Sequence, residues 1–439
     1  MNRLRSLATL IRQYVRVRQL ASLRGDALRE YQDARARRII AYAMLRSPFY
    51  ARHFRGLDLN RWREFPAIDK SVMMSQFDEF TTRGVKREEA MKLALAAESS
   101  RDYQPSLGEL TVGLSSGTSG HRGLFVVDPW ERASWAGSII ARVLPRLRPR
   151  GYKVLLFLRS GSNLYDSVRS HWLQFRFCDL MTPLESATRI LNEFRPDILV
   201  APPSMLVMLA AERKSSRLHA FPTRVISVAE VLDPADEVQI ADAFGAPVHQ
   251  IYQCTEGLLA ATCEKGSLHV LEDSVALQYE PVGGDATRVG PIVTDLRRRT
   301  QPIIRYRLND ILALEQSPCA CGSGFQRIAR IEGRQDDLLY FANAEGGMRP
   351  FFPDVLRRTV LLASESITDY EVIQERPGAL RVHFAVGPKS ALACVEESLR
   401  ASVAEILRQY GCTASSVDVI EGLPARRPDE KRRRVRRTG

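Results

Sequence analysis

The sequence lacks any uninterrupted apolar run near the roughly 18 residues of a membrane-spanning helix. Its opening segment, Met1 to Leu20, has neither a compact apolar core nor a small-residue cleavage site, so it does not read as a secretion signal. Cysteine is scarce: seven residues, an odd number, argue against a disulfide framework. Together these absences lead to the expectation of a soluble, cytoplasmic protein. Acidic residues are also in deficit, 51 against 63 Lys and Arg, giving a formal net charge of +12. Residues 425–439 carry eight Lys or Arg against two acids and so hold half of that excess, which leaves the body only mildly basic. A terminal arginine run of this kind reads as solvated, or as an attraction for phosphate-bearing ligands.

At 439 residues the chain exceeds one ordinary core, so two or three domains are expected. The 45% apolar and 26% charged fractions are those of a globular protein. Leu4, Leu7, Leu10, Ile11, Tyr14 and Val15, interspersed with arginines, predict an amphipathic N-terminal helix. Packing against the body is the expected use of its apolar side, with membrane-surface attachment the alternative. The helical, arginine-rich pattern runs to about Phe54. From Thr111, strand-like Lys153–Leu158, Ile198–Ala201, Arg224–Val228 and Val248–Tyr252 alternate with helix-like Trp130–Leu144, Ser186–Glu193 and Pro234–Phe244. That alternation implies an α/β fold with a mostly parallel sheet. After Pro281 the texture becomes that of a β element, and an α+β segment follows from about Leu338, placing a boundary near Asp336.

The segment Leu114 to Gly123 is rich in Ser, Thr and Gly. Small residues let the backbone approach an anion, and the N–H and hydroxyl groups of Ser115, Ser116, Gly117, Thr118, Ser119 and Gly120 suit phosphate oxygens. The lysine of the G-x-x-x-x-G-K-[ST] loop is absent. An ordinary surface loop is the alternative reading. The segment resembles the phosphate loop of the acyl-adenylate-forming superfamily. Within that superfamily Ser47-Pro48-Phe49-Tyr50 and Phe65-Pro66-Ala67-Ile68-Asp69-Lys70 are similar to the phenylacetate-CoA ligase-like branch.

The resemblance continues in the family's order. Gln250 to Gly257 is similar to a Tyr-Gly-x-Thr-Glu motif, which implies Tyr252 against adenine, Thr255 near phosphate and Glu256 on Mg²⁺. Arg305-Tyr306-Arg307-Leu308-Asn309-Asp310 resembles the segment whose Asp takes the ribose hydroxyls, which implies that role for Asp310. Glu332 to Asp337 is similar to the family hinge, implying Arg334 near the nucleotide and Asp336 as pivot. Glu430 to Val435 resembles the ending that carries the catalytic Lys431. The fold so implied has a large N-terminal ATP- and acid-binding domain, residues 1–335 with a helical region 1–105, and a mobile α+β domain, 336–439. The implied activity is ATP-dependent adenylation of a carboxylic acid, aromatic in the first instance, followed by acyl transfer to CoA. A carrier protein or an amine is the alternative acceptor, and the resemblance leaves room for a homodimer.

The acid pocket is expected near Leu158–His171 and Ser227–Glu230, with Phe157, Tyr165 and Trp172 either lining it or packing in the core. Cys263, His269, Cys319 and Cys321 form a donor set fit for tetrahedral Zn²⁺, or else four unrelated side chains. Two other readings stand against the enzyme: a noncatalytic nucleic-acid-binding protein using the basic tail and the Cys-x-Cys pair, and a noncatalytic scaffold. No specific nucleic-acid partner is expected.

Overall fold

The computed structural model describes residues 3–114, 123–144, 148–158, 172–180, 182–283, 285–344, 346–364, 366–387, 392–425 and 433–438. The first hundred residues are helical: α1 (Arg3–Leu20), α2 (Gly25–Arg46), α3 (Pro48–His53), α4 (Lys70–Ser75), α5 (Phe77–Phe80) and α6 (Arg87–Ser100). Ser47 starts α3 by accepting the Tyr50 N–H, and Pro48 fills the first position, where no N–H is needed. Asp69 starts α4 in the same way through the Val72 N–H. Between them Phe49, Tyr50, Phe54, Phe65 and Phe80 are buried with neighbouring ring centroids 4.8–5.2 Å apart.

Strands β1 (Thr111–Leu114) and β2 (Leu124–Val127) pair antiparallel, and α7 (Pro129–Val143) follows. A parallel sheet is then built from β3 (Tyr152–Leu158), β4 (Leu173–Asp179), β5 (Ile198–Ala201), β6 (Arg224–Val228) and β7 (Val248–Cys254), in the order β4-β3-β5-β6-β7. Alternate residues of β3 feed opposite cores. Leu155 and Phe157 pack with Leu199, Leu206 and Leu209, whereas Val154 and Leu156 pack with Ile140 of α7, Val200 and Ile226. Both faces are therefore covered, as a parallel sheet requires. Two antiparallel strands, β8 (Gly257–Thr262) and β9 (Leu268–Val270), extend it beyond β7.

The remaining strands are β10 (Val275–Val282), β11 (Asp285–Asp295), β12 (Tyr306–Arg307), β13 (Asp310–Glu315), β14 (Arg327–Arg334), β15 (Leu339–Asn343), β16 (Met348–Phe351), β17 (Ile367–Arg376), β18 (Ala379–Val386), β19 (Cys412–Thr413), β20 (Ser416–Glu421) and β21 (Val435–Arg437). The chain divides into two compact units: Met1–Glu280, Pro291–Leu308 and Leu314–Ala329 form the larger, and Pro281–Gly290, Asn309–Ala313 and Arg330–Gly439 form the smaller. The smaller unit thus begins a few residues before the 335/336 boundary read from the sequence and takes in two earlier segments. It holds a three-stranded sheet, β16-β15-β19, and a four-stranded sheet, β20-β18-β17-β21. Helices Pro353–Ala363 and Leu392–Gln409 share its core with Leu339, Phe341, Tyr370 and Phe384. Fully buried Gln374 of β17 joins the sheets, donating to Tyr340 O and accepting the Tyr340 N–H. No described helix is long and apolar enough to cross a membrane.

Helix α1 lies against α7 at a position where only glycine fits. A Cβ on Gly137 would come 2.4 Å from the Leu10 carbonyl oxygen, and one residue on, Ser138 Oγ accepts from Gln13 Nε2 at 2.9 Å. Gly137→Ala is expected to lower unfolding stability by about 1–3 kcal/mol, measured by urea denaturation, because the helices must separate to admit a methyl group.

Candidate active site

Cys254 of β7 pairs with Gly257 of β8, so Thr255 and Glu256 are the two turn residues of a hairpin. Such turns ordinarily adopt primed geometry with positive φ, for which Gly and Asn are suited. Neither Thr255 nor Glu256 has positive φ. Contacts from elsewhere hold the turn instead. The Thr255 hydroxyl donates to Glu256 Oε2 at 2.8 Å, and buried Arg298 donates to the Thr255 carbonyl. Tyr306 of β12 faces Glu256; burial first, and the carboxylate charge second, push its phenol far above its ordinary pKa. Tyr252 is buried one turn of pleat earlier, beside a register shift at Tyr252/Gln253, and the Gln253 amide oxygen accepts from Trp135 Nε1 at 3.1 Å.

Arg298 belongs to a buried turn, residues 295–301, that nothing in the local sequence pattern marks as functional. Asp295 accepts the N–H groups of Arg297 and Arg298 at 2.8 and 2.9 Å, and burial raises its carboxyl pKa. Glu131, which closes the capping box of α7, accepts the N–H groups of Arg299 and Thr300; burial raises its carboxyl pKa too. Gln301, 1% exposed, donates to Leu124 O and accepts the Val126 N–H, both at 2.9 Å, while Arg298 donates to the same Gln301 oxygen. Strand β2, which leaves the Ser/Gly-rich loop, is thereby tied through two side chains to the Thr255-Glu256 turn. The N-terminal motifs dock on the next stretch of chain: Tyr50 Oη donates to Pro302 O, and Ile68 exchanges backbone hydrogen bonds with Arg305 and Arg307.

Ser115, Ser116, Gly117, Thr118, Ser119, Gly120 and Lys431 lie outside the described residues, as do Tyr165 and most of the expected acid pocket. Phe157 is fully buried in the core, and Trp172 donates its indole N–H to Arg148 O. Ala229 has a φ of 68°, and Glu230 accepts the Ser204 N–H at the start of the helix Pro203–Lys214. In the smaller unit, Arg334 lies 3.8 Å from Asp310, Asn309 donates to Asp336, and the Gln335 N–H donates to Asn309 O. Asp310, Arg334 and Asp336 are therefore neighbours.

The arginine run near the C-terminus is not a solvated tail where it is described. Arg433 pairs with Asp337 at 2.8 Å, Arg434 lies 3.7 Å from Asp369, and Arg436 pairs with Glu371 at 2.6 Å. The cause is β21, which pairs parallel with β17 and brings alternate arginines over that strand's acids. Burial pushes the Asp337 carboxyl up, against the pull of Arg433, Arg334 and Arg357.

Cys263, His269, Cys319 and Cys321 converge in the larger unit, their ligand atoms all within 4.8 Å of one another. Cys263 Sγ and Cys319 Sγ are 3.8 Å apart, and Cys321 Sγ lies 3.5 Å from His269 Nε2. A tetrahedron with sulfurs at about 2.3 Å and an imidazole nitrogen at about 2.0 Å has edges of about 3.8 and 3.5 Å, and these two separations match it, as the donor types match zinc. Phe325 O, which can only accept, lies 3.0 Å from His269 Nδ1, so Nδ1 carries the proton and Nε2 is left for a metal. The amides of Lys265 and Cys321 point at the sulfurs of Cys263 and Cys319. Burial opposes ionisation of Cys319, but hydrogen bonds from Ser267 and the Cys321 amide help draw it down to about 6. Burial and the adjacent sulfurs push Cys321 up to about 11.

The bridge through Gln301 gives a stability prediction. Gln301→Leu leaves the Val126 N–H, the Leu124 carbonyl and one Arg298 donor unmet in a dry interior, so unfolding free energy is expected to fall by about 3 kcal/mol or more in urea titrations.

No protein-family model matches the chain. It is 24% identical over 434 residues to a phenylacetate-coenzyme A ligase of Thermus thermophilus, spanning 92% of this chain and 88% of that protein. It is also 24% identical over 382 residues to a phenylacetate-coenzyme A ligase of Pseudomonas putida, spanning 81% and 80%. Among solved structures it resembles 2-hydroxyisobutyryl-CoA ligase in complex with 2-HIB-AMP, with a TM-score of 0.69 at 16% identity over 93% of this chain and 89% of that one. The anthranilate CoA ligase AuaEII in complex with anthranoyl-AMP matches at a TM-score of 0.53 and 14% identity, over 73% and 66%. Along nearly its whole length the chain is thus similar in sequence to phenylacetate-coenzyme A ligases, and it shares its fold with 2-hydroxyisobutyryl-CoA ligase.

Proposed function

We propose that the protein activates a carboxylic acid with ATP as its acyl-adenylate and then transfers the acyl group to CoA. The observation that carries this reading is the buried Arg298–Gln301 bridge, which fixes the Thr255-Glu256 turn relative to the strand leaving the Ser/Gly-rich loop. Relatives named as phenylacetate-coenzyme A ligases make an aromatic acid the first substrate class to try.

A carboxylate acylates poorly because its leaving group is oxide. Attack of a carboxylate oxygen on the ATP α-phosphorus forms a mixed anhydride and expels pyrophosphate; attack of the CoA sulfur on the acyl carbon then forms the thioester and expels AMP. Charge builds on phosphoryl oxygens in the first step, so donors held in place beforehand lower its barrier. Ser115, Ser116, Gly117, Thr118, Ser119 and Gly120 are assigned to the phosphates, Tyr252 to adenine, Asp310 to the ribose hydroxyls, and Arg334 to the nucleotide. Glu256 and Thr255 offer the hard oxygens that suit Mg²⁺, which when bound supplies Lewis-acid neutralisation of phosphoryl charge. Lys431 is assigned to the α-phosphate in the first step, with Asp336 as the pivot that moves it away for the second. Arg433, two residues further along, is anchored on buried Asp337. The nucleic-acid reading gains no support, because the described tail arginines are paired with acids.

ATP–pyrophosphate exchange driven by a panel of aryl and alkyl carboxylates tests the reading. Glu256→Gln and Lys431→Ala are each expected to slow exchange about 100-fold or more. Lys431→Ala should leave thioester formation from a supplied acyl-adenylate intact, and Lys431→Arg should not restore exchange, since a guanidinium fork does not replace a compact ammonium. Carboxylate-independent exchange, or normal exchange in both variants, overturns the assignment.

The Cys263, His269, Cys319 and Cys321 set is assigned to a structural zinc that ties the β8–β9 hairpin to the loop carrying Cys319 and Cys321. Elemental analysis should find about one zinc per chain. Cys321→Ser should lose the metal and melt several degrees lower, with chelator reproducing the shift in the unaltered protein.

A further inference from the structure

Helix α1 turns one side to α7 and another to solvent. Gln13 and Val17 are buried, with Leu10 packed into the adjoining core. Leu4, Leu7, Ile11 and Val15 are 73%, 53%, 52% and 44% exposed. Their spacing of three, four and four residues sets them in one stripe along the helix. Exposed Arg5 and Arg12 and half-buried Arg16, seven and four residues apart, form a second row beside it. Arg16 is held there by its hydrogen bond to Tyr31 Oη at 3.1 Å and by stacking over that ring. Residues 1–24 contain six arginines and no Asp or Glu.

We propose that α1 is an interfacial anchor, with Leu4, Leu7, Ile11 and Val15 entering the acyl boundary of an anionic lipid bilayer while Arg5, Arg12 and Arg16 meet its headgroups. A solvent-facing apolar stripe bordered by cations, with no acid in the segment, matches a surface that is apolar within and negative at its edge. A second copy of the chain would bring the same arginines against each other, and the segment offers no carboxylate to relieve them. The helix is already docked on α7 at Gly137, so binding the bilayer does not have to order it first. The bilayer surface is also where apolar carboxylic acids concentrate, which places the anchor beside a reservoir of the proposed substrate class without depending on that proposal.

The test mixes the full chain with vesicles of phosphatidylcholine alone, or with roughly one-third phosphatidylglycerol, at low and high salt, and measures co-sedimentation. Binding to the anionic vesicles only is expected. The pair Leu7→Asp/Ile11→Asp should reduce the bound fraction at least about tenfold, and Arg5→Gln/Arg12→Gln should weaken binding and flatten its salt dependence. Both pairs should keep the parent's thermal melt, since their side chains meet solvent. Three results overturn the proposal: no preference for anionic vesicles, salt-sensitive binding that survives Leu7→Asp/Ile11→Asp, or self-association in light scattering that this pair abolishes without any vesicle binding.

Discussion

A guanidinium removed from water must be met by oxygens that water would otherwise supply, and in the larger unit that requirement organises the candidate site. Arg298 is 7% exposed, and the oxygens that meet it are the Thr255 carbonyl and the Gln301 amide. Each of these belongs to a different part of the site. Thr255 is half of a hairpin turn that lacks the usual backbone conformation for its length, and Gln301 is hydrogen-bonded to both backbone groups that β2 turns toward it. Loosening any one of them leaves a buried polar group unmet, so the turn and the strand behave as one piece. Carboxylates complete the frame: Asp295 and Glu131 each accept two backbone N–H groups of the same turn.

The smaller unit uses charge differently. Its acids lie on β17 and beside the proposed hinge, and the arginines that meet them lie on β21 or just before it. A run that would be solvated as a free tail becomes structural once β21 pairs with β17, because strand periodicity lays alternate side chains over the same neighbour. The first of those anchors, Arg433, stands two residues after Lys431 in sequence.

The Cys/His cluster and α1 show the same division between composition and placement. Four donors from two distant segments come within 4.8 Å of one another because β9 pairs with β14, which brings His269 opposite Arg327 and the Cys319–Cys321 loop alongside. Helix α1 is amphipathic in sequence, yet its apolar residues divide between a buried side and an exposed one, and only the former is used by the fold.

Local sequence pattern carried the alternation of strands and helices, the parallel character of the main sheet and the order of the motif-like segments. These are local properties: β5, β6 and the helix Pro234–Phe244 have the residue limits that periodicity and Pro punctuation assign them. Tyr252, Thr255, Glu256, Asp310, Arg334 and Asp336 became candidates through motif resemblance, because chemistry-bearing residues cluster in short segments. Arg298, Gln301, Asp295 and Glu131 were not, since an arginine-rich stretch between two strands carries the pattern of a solvated loop. What made them part of the site is burial, and burial depends on α7, β2 and the N-terminal helices closing over residues 295–301 from more than 160 positions away in the chain. Tertiary structure alone also decided the pairing of the tail arginines and the exposure of one side of α1, because solvation is a property of the assembled surface and no window of sequence contains it.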